Sequence, residues 1–111
     1  MNSNKMEKHF RTIAETAEET GISMSKIRFW ETKIPQLKPH RNEHRTRFYT
    51  EEDIELIKII DYLQKVKNLT IEGIVKKLRE NANLDDLKRK QKIYETLLVV
   101  RKELQELYKM L

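Results

Sequence analysis

The sequence predicts a mainly α-helical protein: a winged helix-turn-helix with a small two-stranded wing, followed by a long C-terminal coiled-coil helix. Three observations lead to this fold class. The 111 residues include only two glycines and two prolines, which favours long, uninterrupted helices. The turn at residues 20–22 (Thr-Gly-Ile) separates two short helical patterns, as in a helix-turn-helix. Residues 84–111 contain neither glycine nor proline, and their apolar residues recur alternately four and three positions apart, as in a coiled coil.

The starts of the helices are marked by hydroxyl side chains. Four Ser or Thr residues precede helix-period patterns, and two of them have an acid three positions later, as in a capping box. These N-cap candidates are Thr12, Ser23, Thr50 and Thr70, with Glu15 and Asp53 as the two acids. The predicted helices span residues 13–20, 24–33, 51–67, 71–81 and 84–111. Asn81-Ala-Asn83 is the predicted break before the last helix.

The helix-turn-helix prediction depends on five small or apolar residues. Ala17 allows the first helix to cross the second closely, Gly21 ends the first helix, and Ile22 fills the turn. Ile27 and Trp30 lie three positions apart and therefore share the inward face of the second helix. We expect Trp30 to be buried.

The outer face of the second predicted helix carries polar and basic groups. Ser25, Lys26, Phe29 and the stem of Arg28 remain outside once the apolar pair faces inward. Cations and hydrogen-bond donors near a helix N-terminus suit phosphates and the edges of bases. This face is the first candidate for contact with nucleic acid.

The net charge of +5 is concentrated in residues 26–49, which contain seven basic and two acidic side chains together with His40 and His44. Residues 34–49 also hold both prolines, a polar turn at 42–45 and a β-favouring end at 47–49, which predicts the wing. Such a concentration of charge suits a polyanion, because neutralised phosphates release their counterions. Charge alone is equally compatible with a solvated basic loop.

The last predicted helix is too long to be covered by the small domain before it, because about 27 helical residues span on the order of 40 Å. Its apolar residues form the coiled-coil seam, through which we expect a homodimer. The seam is Ile93, Leu97, Val100, Leu104, Leu107 and Leu111.

Several classes of site are absent from the sequence or weakly indicated. The chain has no cysteine, which excludes disulfides and thiolate metal sites. No apolar run approaches the roughly 20 residues of a membrane span, and the first ten residues lack the apolar core of a signal peptide, so we expect a cytoplasmic protein. The H-x-x-E-H pattern at 40–44 follows Pro39 in a predicted loop rather than on a helix, and S-x-x-K at 23–26 lacks its partner motifs. We therefore expect no metal, no cofactor and no enzyme activity.

Three segments resemble the DNA-binding domain of the MerR family of bacterial transcription regulators, and the resemblance runs from Arg11 to Leu78. They are RTIAETAEETGISMSKIRFWE, LKPHRNEHRTRFYTEEDIELIKIIDYLQ and LTIEGIVKKL. The most specific parts are the IRFWE segment, the R-F-Y of the wing and the T-E-E-D that follows. The resemblance implies a winged helix-turn-helix of MerR type, a homodimer held by an antiparallel coiled coil, and a roughly palindromic promoter site in double-stranded DNA. RNA polymerase is a further implied partner, and the DNA-bound protein would be associated with the nucleoid.

The resemblance also implies three groups of DNA contacts. The recognition-helix group, placed in the major groove, is Ser25, Lys26, Arg28 and Phe29. The wing group, in which the last arginine grips phosphate, is Arg41, His44, Arg45 and Arg47. The third group, which adds phosphate contacts late in the third helix, is Tyr62 and Lys65.

This sequence departs from the family pattern in three respects. The family usually has tyrosine where Phe29 stands, so a hydroxyl contact is missing. The wing usually has Gly-Tyr before its arginine, whereas this chain has Arg45-Thr46, so the tip of the wing is expected to differ. Larger relatives carry an effector domain after the coiled-coil helix, whereas this sequence ends at Leu111. We expect two parts, a DNA-binding domain at 11–81 and a dimerisation helix at 84–111.

Three functions remain open from the sequence. The first is a homodimeric transcription regulator that bends or untwists a promoter site with dyad symmetry. The alternative is an architectural or excisionase-like DNA-bending protein that does not regulate transcription directly. A coiled-coil adaptor with an incidental basic segment is the third, and it predicts no affinity for DNA at moderate salt.

Overall fold

The computed structural model describes residues 10–80 and 84–111, which form five helices and one two-stranded antiparallel sheet. The elements in chain order are α1 (Ile13–Thr20), α2 (Met24–Lys33), β1 (His40–Arg41), β2 (Arg47–Phe48), α3 (Glu51–Lys65), α4 (Ile71–Glu80) and α5 (Asp85–Lys109). The predicted bounds of the first two helices are therefore confirmed. The break predicted at 81–83 lies outside the described residues.

The turn between α1 and α2 is formed by local hydrogen bonds. Gly21 has φ 74°, and its N–H donates to the carbonyl oxygen of Ala17 over 2.8 Å. A residue with a Cβ is strained at this φ, which explains the glycine. The Ser23 hydroxyl then accepts from the N–H of Lys26 over 3.2 Å and caps α2. The chain thus ends one helix and starts the next within three residues.

The capping boxes predicted at the starts of α1 and α3 are both present. The Thr12 hydroxyl accepts from the N–H of Glu15, and the Glu15 carboxylate accepts from the N–H of Thr12. Thr50 and Asp53 make the same reciprocal pair of bonds. Each box satisfies two backbone groups that the first turn of a helix leaves unpaired.

The hydrophobic core lies between α1, α2, α3 and α4, and α3 contributes the largest share of it. The buried residues of α3 are Ile54, Leu56, Ile57, Ile59, Ile60, Tyr62 and Leu63. Ile27 and Trp30 of α2 are completely buried, as predicted. In α1 the completely buried residue is Thr16, while Ala17 is partly buried against the core. The Thr16 hydroxyl avoids an unpaired polar group by donating to the carbonyl oxygen of Thr12 over 2.8 Å.

The third helix is two residues shorter than predicted, and Val66 does not belong to its buried stripe. The helix ends at Lys65, and Val66 is exposed. Asn68 adopts a left-handed φ of 57°, which turns the chain so that the N–H of Leu69 donates to the carbonyl oxygen of Leu63. Leu69 packs against the core, whereas Val66 does not.

The first part of α5 packs on α3 and belongs to the same core. Leu87 is buried, and the ring of Tyr94 lies 5.7 Å from the ring of Tyr62. Two ion pairs flank this contact, Lys88 with Glu55 at 3.1 Å and Lys58 with Glu95 at 3.7 Å. The first part of α5 therefore shares one hydrophobic core with the helices before it.

The remainder of α5 exposes its apolar residues. All six predicted seam residues are exposed, with relative accessibilities between 44% and 98%. They lie on a different face of the helix from Tyr94, whose ring contacts Tyr62 of α3. Within residues 10–80 and 84–111, no helix is both long and apolar enough to cross a membrane.

Candidate nucleic-acid interface

The outer face of α2 presents four of the predicted contact residues to solvent. Ser25 and Arg28 are exposed, and within residues 10–80 and 84–111 Arg28 has no ion-pair partner. Phe29 is 49% exposed. Lys26 is half-buried, and its Nζ lies 5.4 Å from the centre of the Trp30 ring, within range of a cation–π contact. This helix therefore offers one unpaired guanidinium, one hydroxyl and one apolar ring to a partner.

The wing, residues 40–48, is the predicted two-stranded hairpin. His40 pairs with Phe48 and Arg41 with Arg47 in antiparallel register. The sheet is extended on its other side by an isolated bridge between Arg11 and Tyr49, with two backbone hydrogen bonds of 2.8 Å. The wing is thereby attached to the chain segment that leads into α1.

The tip of the wing is a turn organised by the side chain of Asn42. Its Oδ1 accepts from the N–H groups of His44 and Thr46, each over 2.9 Å. Arg45, whose N–H donates to the carbonyl oxygen of Asn42, adopts a left-handed φ of 64°. The side chains of His44 and Arg45 are exposed. The resemblance described above implies a glycine at the position of Arg45. This position keeps a backbone conformation that favours glycine, although the residue here is an arginine.

Glu31 joins α2 to the wing. Its Oε1 accepts from Arg47 Nε over 2.9 Å and lies 3.6 Å from Arg41 Nη2, while its Oε2 accepts from the Tyr49 hydroxyl. The Glu31 side chain is only 7% exposed. One buried carboxylate therefore connects the helix to both strands of the wing and to the residue that follows them.

The pKa of the Tyr49 hydroxyl is raised by its position in the core, beside Glu31. Burial raises the pKa of Tyr49 well above its usual range, and the hydrogen bond to the Glu31 carboxylate raises it further. Arg47 and Arg41 oppose the shift through their positive charge. The tyrosine therefore remains a neutral hydrogen-bond donor at any physiological pH.

The structure brings the recognition-helix and wing groups together, but it places the third group differently. Lys65 is exposed and lies 3.3 Å from Asp61. Tyr62 is only 8% exposed, because its ring packs against Tyr94 of α5. The packing of Tyr62 against Tyr94 leaves little of its side chain exposed, and its contact with phosphate remains a prediction.

The residues of the H-x-x-E-H and S-x-x-K patterns lie in the wing and at the start of α2. His40 lies on β1 and His44 in the turn, so the two histidines do not share a helix face as a zinc peptidase requires. No group of three or more His, Cys, Asp or Glu suited to a metal occurs among the described residues. Ser23 is the cap of α2 rather than a nucleophile with a base beside it.

Glu31 and Tyr49 are part of the site, although no sequence motif indicated either of them. A signal for Glu31 exists, because it is one of only two acids in the basic segment 26–49 and directly follows the buried Trp30. Lys33 and Lys38 were also omitted, although both are exposed cations in the same segment.

Comparison with known proteins agrees with this architecture. The sequence profile of MerR HTH family regulatory proteins matches residues 11–81. A similar solved structure is the crystal structure of HiNmlR, described as a MerR family regulator lacking the sensor domain, bound to promoter DNA. The two chains superpose with a TM-score of 0.57 at 20% sequence identity, over 91% of this chain and 87% of the other. No curated protein gives a significant match.

The structural likeness confirms the predicted fold class, a mainly α winged helix-turn-helix of MerR type with a two-stranded wing and a C-terminal helix. The profile match covers more than half of the chain. The chain therefore belongs to the MerR HTH family of regulatory proteins.

Proposed function

We propose that this protein is a homodimeric transcription regulator that binds double-stranded DNA sequence-specifically at a promoter site with dyad symmetry. The observation that carries this proposal is the junction at Glu31, which holds the outer face of α2 and the wing side by side. Both elements direct cations to solvent, namely Arg28 on the helix and Arg45 on the wing. Family membership supports the same function.

The two elements would contribute differently to DNA binding. Arg28 and Ser25 lie on a helix of the size that enters a major groove, where side chains reach the edges of bases. The wing cations would contact phosphates, which position the protein and make binding dependent on salt. Sequence preference is therefore expected to come mainly from α2, and affinity from both elements.

We propose that two copies associate through the exposed seam of α5 in an antiparallel coiled coil. An isolated helix with this apolar stripe would leave large apolar groups in water, at roughly 25 cal/mol for each Å². Pairing with the seam of a second copy covers the stripe and repeats the reading surface about a two-fold axis. The half-site spacing of the DNA would then be set by the rigid contact between α3 and α5 in each copy.

We further propose that the dimer bends or untwists its site without an added effector. A smooth bend costs about 1–6 kcal/mol, which contacts from α2 and from both wings would offset. Energy transfer between dyes at the two ends of the bound DNA measures the bend. A straight site would instead favour simple blocking of polymerase, and a bend that appears only with cell extract would reveal an effector.

The experiment that tests the function is selection of bound sequences from random double-stranded DNA, using the full chain at a stated salt concentration. We expect enrichment of a motif with dyad symmetry, and loss of that enrichment in Arg28→Ala. Retention of DNA without enrichment would favour an architectural, DNA-bending role. Absence of DNA binding at moderate salt would leave the coiled-coil adaptor.

A further inference from the structure

We propose that Glu31 is a positioning residue for DNA binding: its buried carboxylate orients the Arg47 guanidinium so that its two Nη groups face the phosphate. This inference rests on the proposed DNA-binding function. Glu31 is an acidic residue inside the basic segment, and its proposed role is to hold the side chain that binds an anion.

Glu31 occupies only one of the hydrogen-bond donors of the Arg47 guanidinium. This guanidinium carries five N–H donors, and Glu31 engages the one on Nε over 2.9 Å. No other partner of Arg47 is seen within residues 10–80 and 84–111, and its side chain is 29% exposed. The four donors on Nη1 and Nη2 are thus available for the two-bond contact that arginine makes with phosphate.

Contacts on the side of the core hold the Glu31 carboxylate in place. Glu31 is held on its other oxygen by the hydroxyl of Tyr49, which is completely buried, and Arg41 approaches from the wing. These contacts fix the carboxylate from the core side, so that it cannot follow the arginine outward. Since the carboxylate is almost inaccessible and lies beside two guanidinium groups, its repulsion of DNA is largely compensated.

If Glu31 competed with DNA for Arg47 instead of positioning it, removing its charge would change the affinity for DNA in the opposite direction. If Glu31 merely competed with phosphate for Arg47, removing its charge would strengthen the binding of every DNA sequence. If Glu31 positions Arg47, removing its charge frees the arginine to move and weakens binding at the selected site. The amide in Glu31→Gln has nearly the same shape and can still accept from Arg47, but without the charge that strengthens the bond.

The experiment measures dissociation constants of the full-length wild type and Glu31→Gln on a duplex selected by the wild type. We expect about tenfold weaker binding for Glu31→Gln, the size expected when a hydrogen bond between charged groups loses one of its charges. Glu43→Gln is the matched control, because Glu43 lies exposed in the turn of the same wing and loses the same charge. We expect the control to bind as tightly as the wild type or slightly more tightly.

A double variant separates positioning from a general structural effect. If Glu31 acts through Arg47, Glu31→Gln should weaken binding much less in the Arg47→Ala background than in the wild type. Should Glu31→Gln fail to fold, as judged by circular dichroism, Tyr49→Phe loosens the same carboxylate without changing any charge. We expect Tyr49→Phe to weaken binding of the selected duplex by a smaller factor.

Two results would overturn the inference. The first is equal or tighter binding of the selected duplex by Glu31→Gln, or by Tyr49→Phe if it replaces that variant. The second is an undiminished loss in the Arg47→Ala background. Failure of the wild type to bind DNA would instead refute the proposed function, so the two failures are distinguishable.

Discussion

Replacing Arg45 at the tip of the wing by glycine should make the protein more stable and its binding to DNA weaker. Arg45 has φ 64°, and Asn42 holds the surrounding turn through two side-chain hydrogen bonds. An L-residue in this conformation costs about 1–2 kcal/mol, which glycine does not incur. Glycine also gains freedom in the unfolded chain, which offsets about 0.4–1 kcal/mol of that benefit. Arg45→Gly should therefore raise the free energy of unfolding by about 0.5–1 kcal/mol.

The matched control is Arg45→Ala, which removes the same cation but keeps the Cβ and its strain. Thermal unfolding of the three proteins at one concentration should show Arg45→Gly melting a few degrees above both of the others, since about 1 kcal/mol corresponds to roughly 4 °C for a domain of this size. On DNA, both variants should bind more weakly than the wild type and lower the salt slope by up to about one unit. Equal melting temperatures for Arg45→Gly and Arg45→Ala would refute the argument from strain.

Three further predictions test other parts of the account. Arg28→Ala should weaken binding to the selected duplex by about 1–3 kcal/mol and relax the specificity of the protein. Arg47→Ala should weaken binding to all sequences alike and lower the salt slope by about one unit, so equal slopes for this variant and the wild type would remove the wing arginine from the phosphate contacts. The double variant Leu97→Glu/Leu104→Glu should be monomeric by light scattering at micromolar concentration, where a wild-type monomer would end the dimer proposal. Because the pKa of Tyr49 is raised on folding, stability should fall as the pH rises above about 10, and Tyr49→Phe should lose less stability over this range; identical pH profiles would contradict the raised pKa.

Local signals in the sequence predicted most of the fold. The hydroxyl caps at Thr12 and Thr50, the glycine at position 21 and the spacing of Ile27 and Trp30 each depend on neighbours within four residues, and the structure confirms all of them. Such signals act through the backbone of one turn, so one sequence is enough to interpret them.

The features that the sequence did not reveal depend on contacts between distant residues. Glu31 meets Arg47 and Tyr49 across 16 and 18 positions, so its neighbours in the sequence do not identify the partners of its carboxylate. The packing of Tyr62 against Tyr94, which lies 32 positions later on α5, likewise could not be predicted from neighbouring residues. Helical periodicity identifies a buried face but does not say which element covers it.

A hydroxyl-radical footprint of the wild-type protein on its selected duplex would show directly how two copies are arranged on DNA. We propose that two copies of one surface, formed by α2 and the wing, bind about a two-fold axis. We therefore expect two protected segments on each strand, related by that axis. Protection without symmetry, or without a preferred position on the duplex, would contradict this proposal.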